Sequence, residues 1–115
     1  MDAVEWDAAM GRLATLAILG EVADERRAQD DRFGEQNHLN DTGHSFAGNW
    51  SYDADVQRDR TDKLTAAGMV GWSDILAEEV AEAFAESDPV RLREELIQVA
   101  AVAVNWVGSI DRRGV

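Results

Sequence analysis

Three glutamates and one glutamine recur at helical spacing in the C-terminal half of the chain. Glu79 and Glu82 lie three residues apart, and so do Glu95 and Gln98, so each pair falls on one face of a helix. Three carboxylates held together and partly shielded from water repel one another, which raises their pKa values unless a cation neutralises them. A hard divalent cation such as Mg²⁺, which binds oxygen ligands and keeps part of its water shell, suits this set. The alternative interpretation is an ordinary solvated helix face.

Two predicted helices must position these side chains. Ser73 is predicted to cap a helix that runs to about Glu86, and Asp88 to cap a second helix that begins at Pro89 and ends near Ile110. The turn between them is so short that it permits only an antiparallel hairpin, over about 73–111. The second helix carries an apolar stripe with alternating spacings of four and three, formed by Leu92, Leu96, Val99, Ala103, Trp106 and Ile110.

In such a hairpin, facing residues have a nearly constant sum of residue numbers. Glu82 then faces Glu95, and Glu79 faces Gln98, at successive levels of one seam. At about 100° per residue, Glu95 falls roughly 40° from Val99, inside the apolar arc of its helix. The register therefore predicts that three carboxylates and one amide surround a single spot.

The rest of the chain is predicted to add two helices, over 3–31 and 52–67. Between them lies a loop over 33–51 that contains three glycines and both histidines. No segment shows the alternation of a strand. The predicted fold class is all-α, with four helices in a single domain over 1–115.

The amino-acid composition limits the classes of partner that the protein is expected to bind. Asp and Glu number 23 against 11 Lys and Arg, which gives a net charge of −12 and repels nucleic-acid phosphates and anionic membranes. A phosphorylated small molecule is compatible with this charge if a metal ion carries the attraction. With no cysteine, disulfides and thiolate metal sites are excluded. Because neither a signal peptide nor a membrane span is predicted, the expected compartment is the cytoplasm.

The spacing of the acidic residues matches a known type of sequence signature. Glu78-Glu79-Val80-Ala81-Glu82 is followed after twelve residues by Glu95-Leu96-Ile97-Gln98, and Asn105 comes seven residues later. This resembles the EExxE…ExxD signature of the all-α nucleoside triphosphate pyrophosphatase superfamily, the MazG-like proteins and the dimeric dUTPases. An Asn commonly follows ExxD in MazG domains. The resemblance covers residues 72 to about 113, a third of the chain.

The resemblance implies a four-helix MazG-like bundle that hydrolyses a nucleoside triphosphate, with Mg²⁺ or Mn²⁺, to the monophosphate and pyrophosphate. It implies that Glu79, Glu82 and Glu95 are catalytic metal ligands and that Gln98 occupies the fourth ligand position. Glu78 would be a supporting group and Asn105 would contact the nucleotide. The family also implies a homodimer or a dimer of dimers, in which Trp106, Val107 and Ile110 would contribute to the interface.

Gln98 departs from the family pattern, which has Asp at this position. Losing one carboxylate weakens a metal cage. Three interpretations follow. The protein is a slow enzyme, an enzyme that recruits another acid such as Asp30, or a catalytically weak module that binds or senses a nucleotide. A purely structural helical interaction protein is a further alternative.

Other polar and aromatic residues are candidates for nucleotide contacts. A base pocket needs aromatic or apolar walls, and the aromatic candidates are Trp72, Trp50, Phe33 and Phe46. Gln36 and His38 could bind a base edge or a sugar hydroxyl, or else hold the turns of their own loop. The basic residues Arg58, Arg60 and Lys63 could approach phosphates, or else balance the aspartates of their own helix.

Overall fold

The computed structural model of the protein describes residues 1–45 and 48–114. Within these residues the chain forms four helices and one short hairpin, in the order α1 (Ala3–Phe33), β1 (His44–Ser45), β2 (Gly48–Asn49), α2 (Trp50–Ala66), α3 (Trp72–Ala85) and α4 (Pro89–Arg113). The prediction of an all-helical protein with four helices is confirmed, and the short β-hairpin is an addition that was not predicted. Among the described residues, no helix is long and apolar enough to cross a bilayer.

Acidic side chains cap the two longest helices. Asp2 accepts a hydrogen bond from the Glu5 N–H at 2.8 Å at the start of α1. Asp88 accepts one from the Arg91 N–H at 3.0 Å at the start of α4, as predicted from its position before Pro89. Each cap satisfies one of the free N–H groups that every helix start presents.

The start of α3 differs from the prediction of a cap at Ser73. Gly71 is the residue that precedes the first turn, and Oδ2 of Asp74 accepts a hydrogen bond from the Gly71 N–H at 3.1 Å. A carboxylate in the first turn also interacts favourably with the positive end of the helix dipole. The helix therefore begins at Trp72, two residues earlier than Ser73 would have allowed.

A short β-hairpin lies within the predicted loop. His44 pairs with Asn49 in an antiparallel register, and each strand has two residues. The sequence predicts no strand here because two residues are too few to show alternation. The side chain of Asn49 then caps α2 by accepting a hydrogen bond from the Ser51 N–H at 3.1 Å.

The backbone that precedes the hairpin is anchored to the end of α3. The Gly43 N–H donates to the Phe84 carbonyl at 2.7 Å, and the Thr42 hydroxyl donates to the Glu86 carbonyl at 2.5 Å. Gly43 has a φ of +70°, and a Cβ at this position would overlap the Ser87 hydroxyl. The left-handed conformation therefore favours glycine, and an added Cβ would also displace the Ser87 hydroxyl.

Close contacts divide the chain into two compact units, residues 1–38 with 104–115 and residues 39–103. In the first unit Ile18 of α1 is buried, and Gly108 of α4 lies against it. The predicted single domain over 1–115 stays a prediction.

In the second unit each of the three helices contributes one buried apolar residue, Ala54 in α2, Ala83 in α3 and Leu92 in α4. Thr61 is buried as well, and its hydroxyl donates to the Asp74 carbonyl at 3.4 Å. Small side chains at these contacts let α2 lie close along α3, because interaxial distance depends on the side chains between helices. The glutamate-bearing helix α3 is thereby fixed on one side.

Replacing Gly43 with Ala should lower the free energy of unfolding by about 2 kcal/mol or more, since the left-handed conformation alone costs an alanine about 1–2 kcal/mol. Urea denaturation followed by circular dichroism measures this. The control is Gly20→Ala in α1, where a Cβ meets no atom within 4 Å and should stabilise the helix by up to about 1 kcal/mol. Equal effects at the two positions would contradict the anchoring role of Gly43.

Candidate metal centre

Three glutamates converge between α3 and α4. Glu79 and Glu82 lie on successive turns of α3, and Glu95 lies on α4. One carboxylate oxygen from each lies within 4.8 Å of the other two, and all three residues are partly buried. Because only three residues, 86–88, separate the helices, such convergence requires the chain to reverse. The two helices therefore form the predicted hairpin.

Two oxygen atoms of this cluster lack partners. Oε2 of Glu79 and Oε2 of Glu95 are both shielded from solvent and accept no hydrogen bond from any described residue. A shielded carboxylate oxygen without a partner is costly. A cation that accepts these oxygens as ligands would remove that cost, so the donor set suits a hard divalent ion.

The cluster is strained electrostatically as well. Burial raises the pKa of Glu79, and the charges of Glu82, Glu95 and Glu78 raise it further. Burial likewise raises the pKa of Glu95, followed by nearby carboxylates of which Glu82 contributes most. In both residues desolvation and like charges act in the same direction, against the ionised form.

Glu78 lies beside the cluster on the neighbouring face of α3. Burial raises the pKa of Glu78, the charges of Glu82 and Asp62 add to this, and Arg58 and Thr61 oppose it. Glu78 therefore shares the negative field of the cluster while facing α2.

One basic side chain reaches the cluster. Nη2 of Arg58 lies 3.5 Å from Oε1 of Glu82, while its Nη1 lies 3.3 Å from Oδ1 of Asp55. The other two candidate cations of α2 pair elsewhere, Arg60 with Asp74 at 3.3 Å and Lys63 with Asp59 at 2.8 Å.

Lys63 therefore forms a pair within its own helix. Its hydrogen bond to Asp59 raises the pKa of Lys63. This arrangement corresponds to the alternative in which such residues balance the aspartates of α2.

Three further predicted site residues, Gln98, Asn105 and Asp30, are exposed. Gln98 is exposed on α4, whereas Glu79 and Glu82 both approach Glu95. Asn105 belongs to the other compact unit, where it is exposed and lines a cavity of about 470 Å³ formed by α1 and the end of α4. Asp30, the suggested substitute acid, is paired with Arg26 at 2.8 Å.

The polar loop residues bond to each other. Oε1 of Gln36 lies 2.9 Å from Nε2 of His38, and both side chains are exposed. This matches the alternative in which the loop holds its own turn. Phe33 is exposed, with the Arg32 guanidinium 5.5 Å from its ring, and Phe46 lies outside the described residues.

Trp50 faces an aromatic neighbour that the sequence did not assign to the site. Its ring centroid is 5.0 Å from that of Phe84, with the planes at 60°. The two rings line a cavity of about 360 Å³ together with Leu92, Leu96 and the segment 39–42. Trp72 is the partly buried first residue of α3. The signal that could have found Phe84 is its position two residues after Glu82 in the motif-bearing helix.

Comparison with known proteins gives no match: no family model, no curated protein and no solved structure matches the chain.

Replacing Glu95 with Gln should raise the free energy of unfolding of the metal-free protein at pH 7 by up to about 1 kcal/mol, because one of three repelling charges is removed. Urea denaturation in the presence of a chelator measures this. The matched control is Glu94→Gln, an exposed neighbour on the same helix, which should change stability by less than about 0.5 kcal/mol. Destabilisation by Glu95→Gln would mean that the carboxylate is satisfied.

Lowering the pH should also relieve the cluster. The pKa values of Glu79 and Glu95 are raised in the folded protein above the ordinary value of 4.5, so the folded state binds these protons more tightly than the unfolded state. The free energy of unfolding should therefore increase as the pH falls from 7 through the raised values, with the gain complete below 4.5. The double variant Glu79→Gln/Glu95→Gln should lack this part of the pH profile. Identical profiles in the two proteins would contradict the repulsion.

Proposed function

We propose that the protein is a Mg²⁺-dependent nucleoside triphosphate pyrophosphohydrolase of the MazG-like all-α kind. The observation that carries the proposal is the convergence of Glu79, Glu82 and Glu95 within 4.8 Å, with two shielded oxygens that accept no hydrogen bond from the described residues. An oxygen set of this kind, on facing helices, is a known way to build a metal site in a helical protein. The motif spacing supplies the choice of reaction.

Each residue has a defined part in the proposed chemistry. Glu79, Glu82 and Glu95 hold the cation, and Glu78 adds negative field beside them. Bound Mg²⁺ would neutralise charge on the phosphates and lower the pKa of a water molecule. The water oxygen would form a bond to the α-phosphorus and give up its proton to solvent, while the bond from that phosphorus to the α–β bridging oxygen breaks and pyrophosphate leaves with that oxygen. The products are the nucleoside monophosphate and pyrophosphate.

The cavity beside Trp50 is the proposed place for the base. It lies in the same compact unit as the three glutamates, and its wall includes Leu92 and Leu96, which flank Glu95 along α4. Its volume of about 360 Å³ lies within the range of small-molecule pockets, about 300–1,000 Å³. Aromatic and aliphatic walls with few polar groups suit a planar base.

A catalytically weak nucleotide-binding module is the second candidate. The exposure of Gln98 and its lack of charge favour it, because three carboxylates hold a divalent cation less firmly than four would. The two candidates share the same ligands and differ in turnover.

Pyrophosphate release from a panel of ribo- and deoxyribonucleoside triphosphates, with Mg²⁺ or Mn²⁺, tests the proposal. Wild type should release pyrophosphate, and Glu82→Gln should lose at least about a hundredfold in rate, as expected when a group that stabilises developing charge is removed. The control Glu94→Gln should retain the wild-type rate. Turnover that survives Glu82→Gln would contradict the assigned site.

The variant Gln98→Asp separates the two candidates. If wild type is silent while Gln98→Asp releases pyrophosphate, the protein is the weak binding module. If both are silent and neither nucleotide nor metal raises the melting temperature, the enzyme and the binding module are both wrong.

A homodimer is the proposed assembly. Helix α1 exposes large apolar side chains along its length, among them Leu13 at 57% and Leu16 at 62%, and Val107 of α4 is 40% exposed. Large exposed apolar side chains in such number favour protein–protein contact. A second copy can cover it, since isologous dimers are the commonest assembly of soluble chains.

Light scattering should therefore give about twice the chain mass of 12.7 kDa. The double variant Leu13→Glu/Leu16→Glu should give the monomer mass, because buried charges without partners oppose association. The control Gln29→Glu adds a charge to an exposed position of the same helix and should leave the mass unchanged. A monomeric wild type would contradict the dimer.

A further inference from the structure

A small cavity beside the glutamates contains one basic side chain. The cavity has a volume of about 320 Å³ and is lined by Ala54, Arg58, Glu82, Ala85, Glu86 and Glu95. Among these residues, Arg58 alone carries positive charge. Ala54 and Ala85 are short, so they leave space around the guanidinium. Arg58 thus faces three carboxylates in a space large enough to admit a phosphate.

The present contacts of Arg58 are weak ones. Its ion pairs with Glu82 and Asp55 are 3.5 and 3.3 Å long, and its side chain is 48% exposed. Exposed ion pairs of this kind contribute at most about 1 kcal/mol. A guanidinium has five donors in a planar fork that matches phosphate oxygens, and these two contacts occupy only part of that set.

The charges around the site require a further cation when substrate binds. A divalent ion leaves three carboxylates incompletely neutralised, and a triphosphate adds more negative charge. Arg60 and Lys63 are committed to Asp74 and Asp59. Of the three basic side chains of α2, all among the described residues, Arg58 alone pairs with one of the three glutamates.

We infer that Arg58 is a phosphate-binding residue, whose guanidinium leaves Glu82 for the β- and γ-phosphates of the nucleotide when Glu82 becomes a metal ligand. This inference rests on the proposed function. It also gives Arg58 two opposite effects. Arg58 competes with the metal for Glu82 when no phosphate is present, and it holds the phosphates when they are bound.

The test measures two affinities by calorimetry, for Mn²⁺ alone and for inorganic tripolyphosphate added to the Mn²⁺-saturated protein. Arg58→Gln should bind Mn²⁺ as tightly as wild type or up to about fivefold more tightly. It should bind tripolyphosphate about tenfold or more weakly, the cost of a lost charge-assisted hydrogen bond. Arg58→Lys should fall between the two proteins. The control Arg60→Gln, which breaks a different pair between α2 and α3, should bind both probes like wild type.

Weaker binding of tripolyphosphate with undiminished binding of Mn²⁺ separates this role from a structural one, because a damaged fold would weaken both affinities together. Wild-type affinity of Arg58→Gln for tripolyphosphate would overturn the inference and leave the proposed function standing. If Arg58→Gln loses helix content by circular dichroism, Arg58→Lys decides, and unchanged binding there would equally overturn it. Failure of wild type to bind Mn²⁺ would instead reject the metal site itself.

Discussion

Repulsion among Glu79, Glu82 and Glu95 is the constraint on which the second compact unit depends. Three carboxylates stay within 4.8 Å of one another only if the surrounding helices hold them there. The hairpin of α3 and α4 does so through a three-residue turn, and α2 packs along α3 through buried Thr61 and the pair between Arg60 and Asp74. The packing thus stores an unfavourable interaction. Local strain that the rest of a fold maintains is typical of functional sites, and here it corresponds to an affinity for positive charge.

Under the proposed function, two kinds of cation would share that affinity, the Arg58 guanidinium and a metal ion. Arg58 approaches Glu82 from α2, while Glu79 and Glu95 keep shielded oxygens that accept no hydrogen bond from the described residues. The guanidinium and a metal ion differ in how they bind: the first is tethered to α2 and donates hydrogen bonds from a planar fork, whereas Mg²⁺ is untethered and takes oxygen ligands in octahedral geometry. One glutamate at the border of the two can therefore serve either partner. The arrangement makes the charge state of the site depend on what is bound.

Features fixed by local chain geometry were predictable from the sequence. The cap at Asp88, the reversal between α3 and α4 and the approach of Glu82 to Glu95 all follow from short-range spacing. Features that depend on which side chains meet across elements were not. Asp74 rather than Ser73 determines where α3 begins, because its carboxylate reaches back to Gly71. The register set Glu79 opposite Gln98. Both acids of α3 lie close to Glu95 and Gln98 is exposed, and the predicted place of Gln98 as the fourth ligand stays a prediction. Which basic side chain of α2 pairs with Glu82 also depends on contacts between helices: Arg58 reaches Glu82, whereas Lys63 pairs with Asp59.

Helix α1 carries a different consequence. It has 31 residues, and Ile18 is the one that is buried among those described. Most of the stability of a protein helix comes from packing an apolar face rather than from its own propensity, so this helix gains little from its own chain. If association with a second copy supplies the missing packing, the fraction of molecules in which α1 is folded depends on protein concentration through mass action. Dilution would then loosen α1 before it affects the second unit, and the abundance of the protein in the cell would itself set how much of it is fully folded.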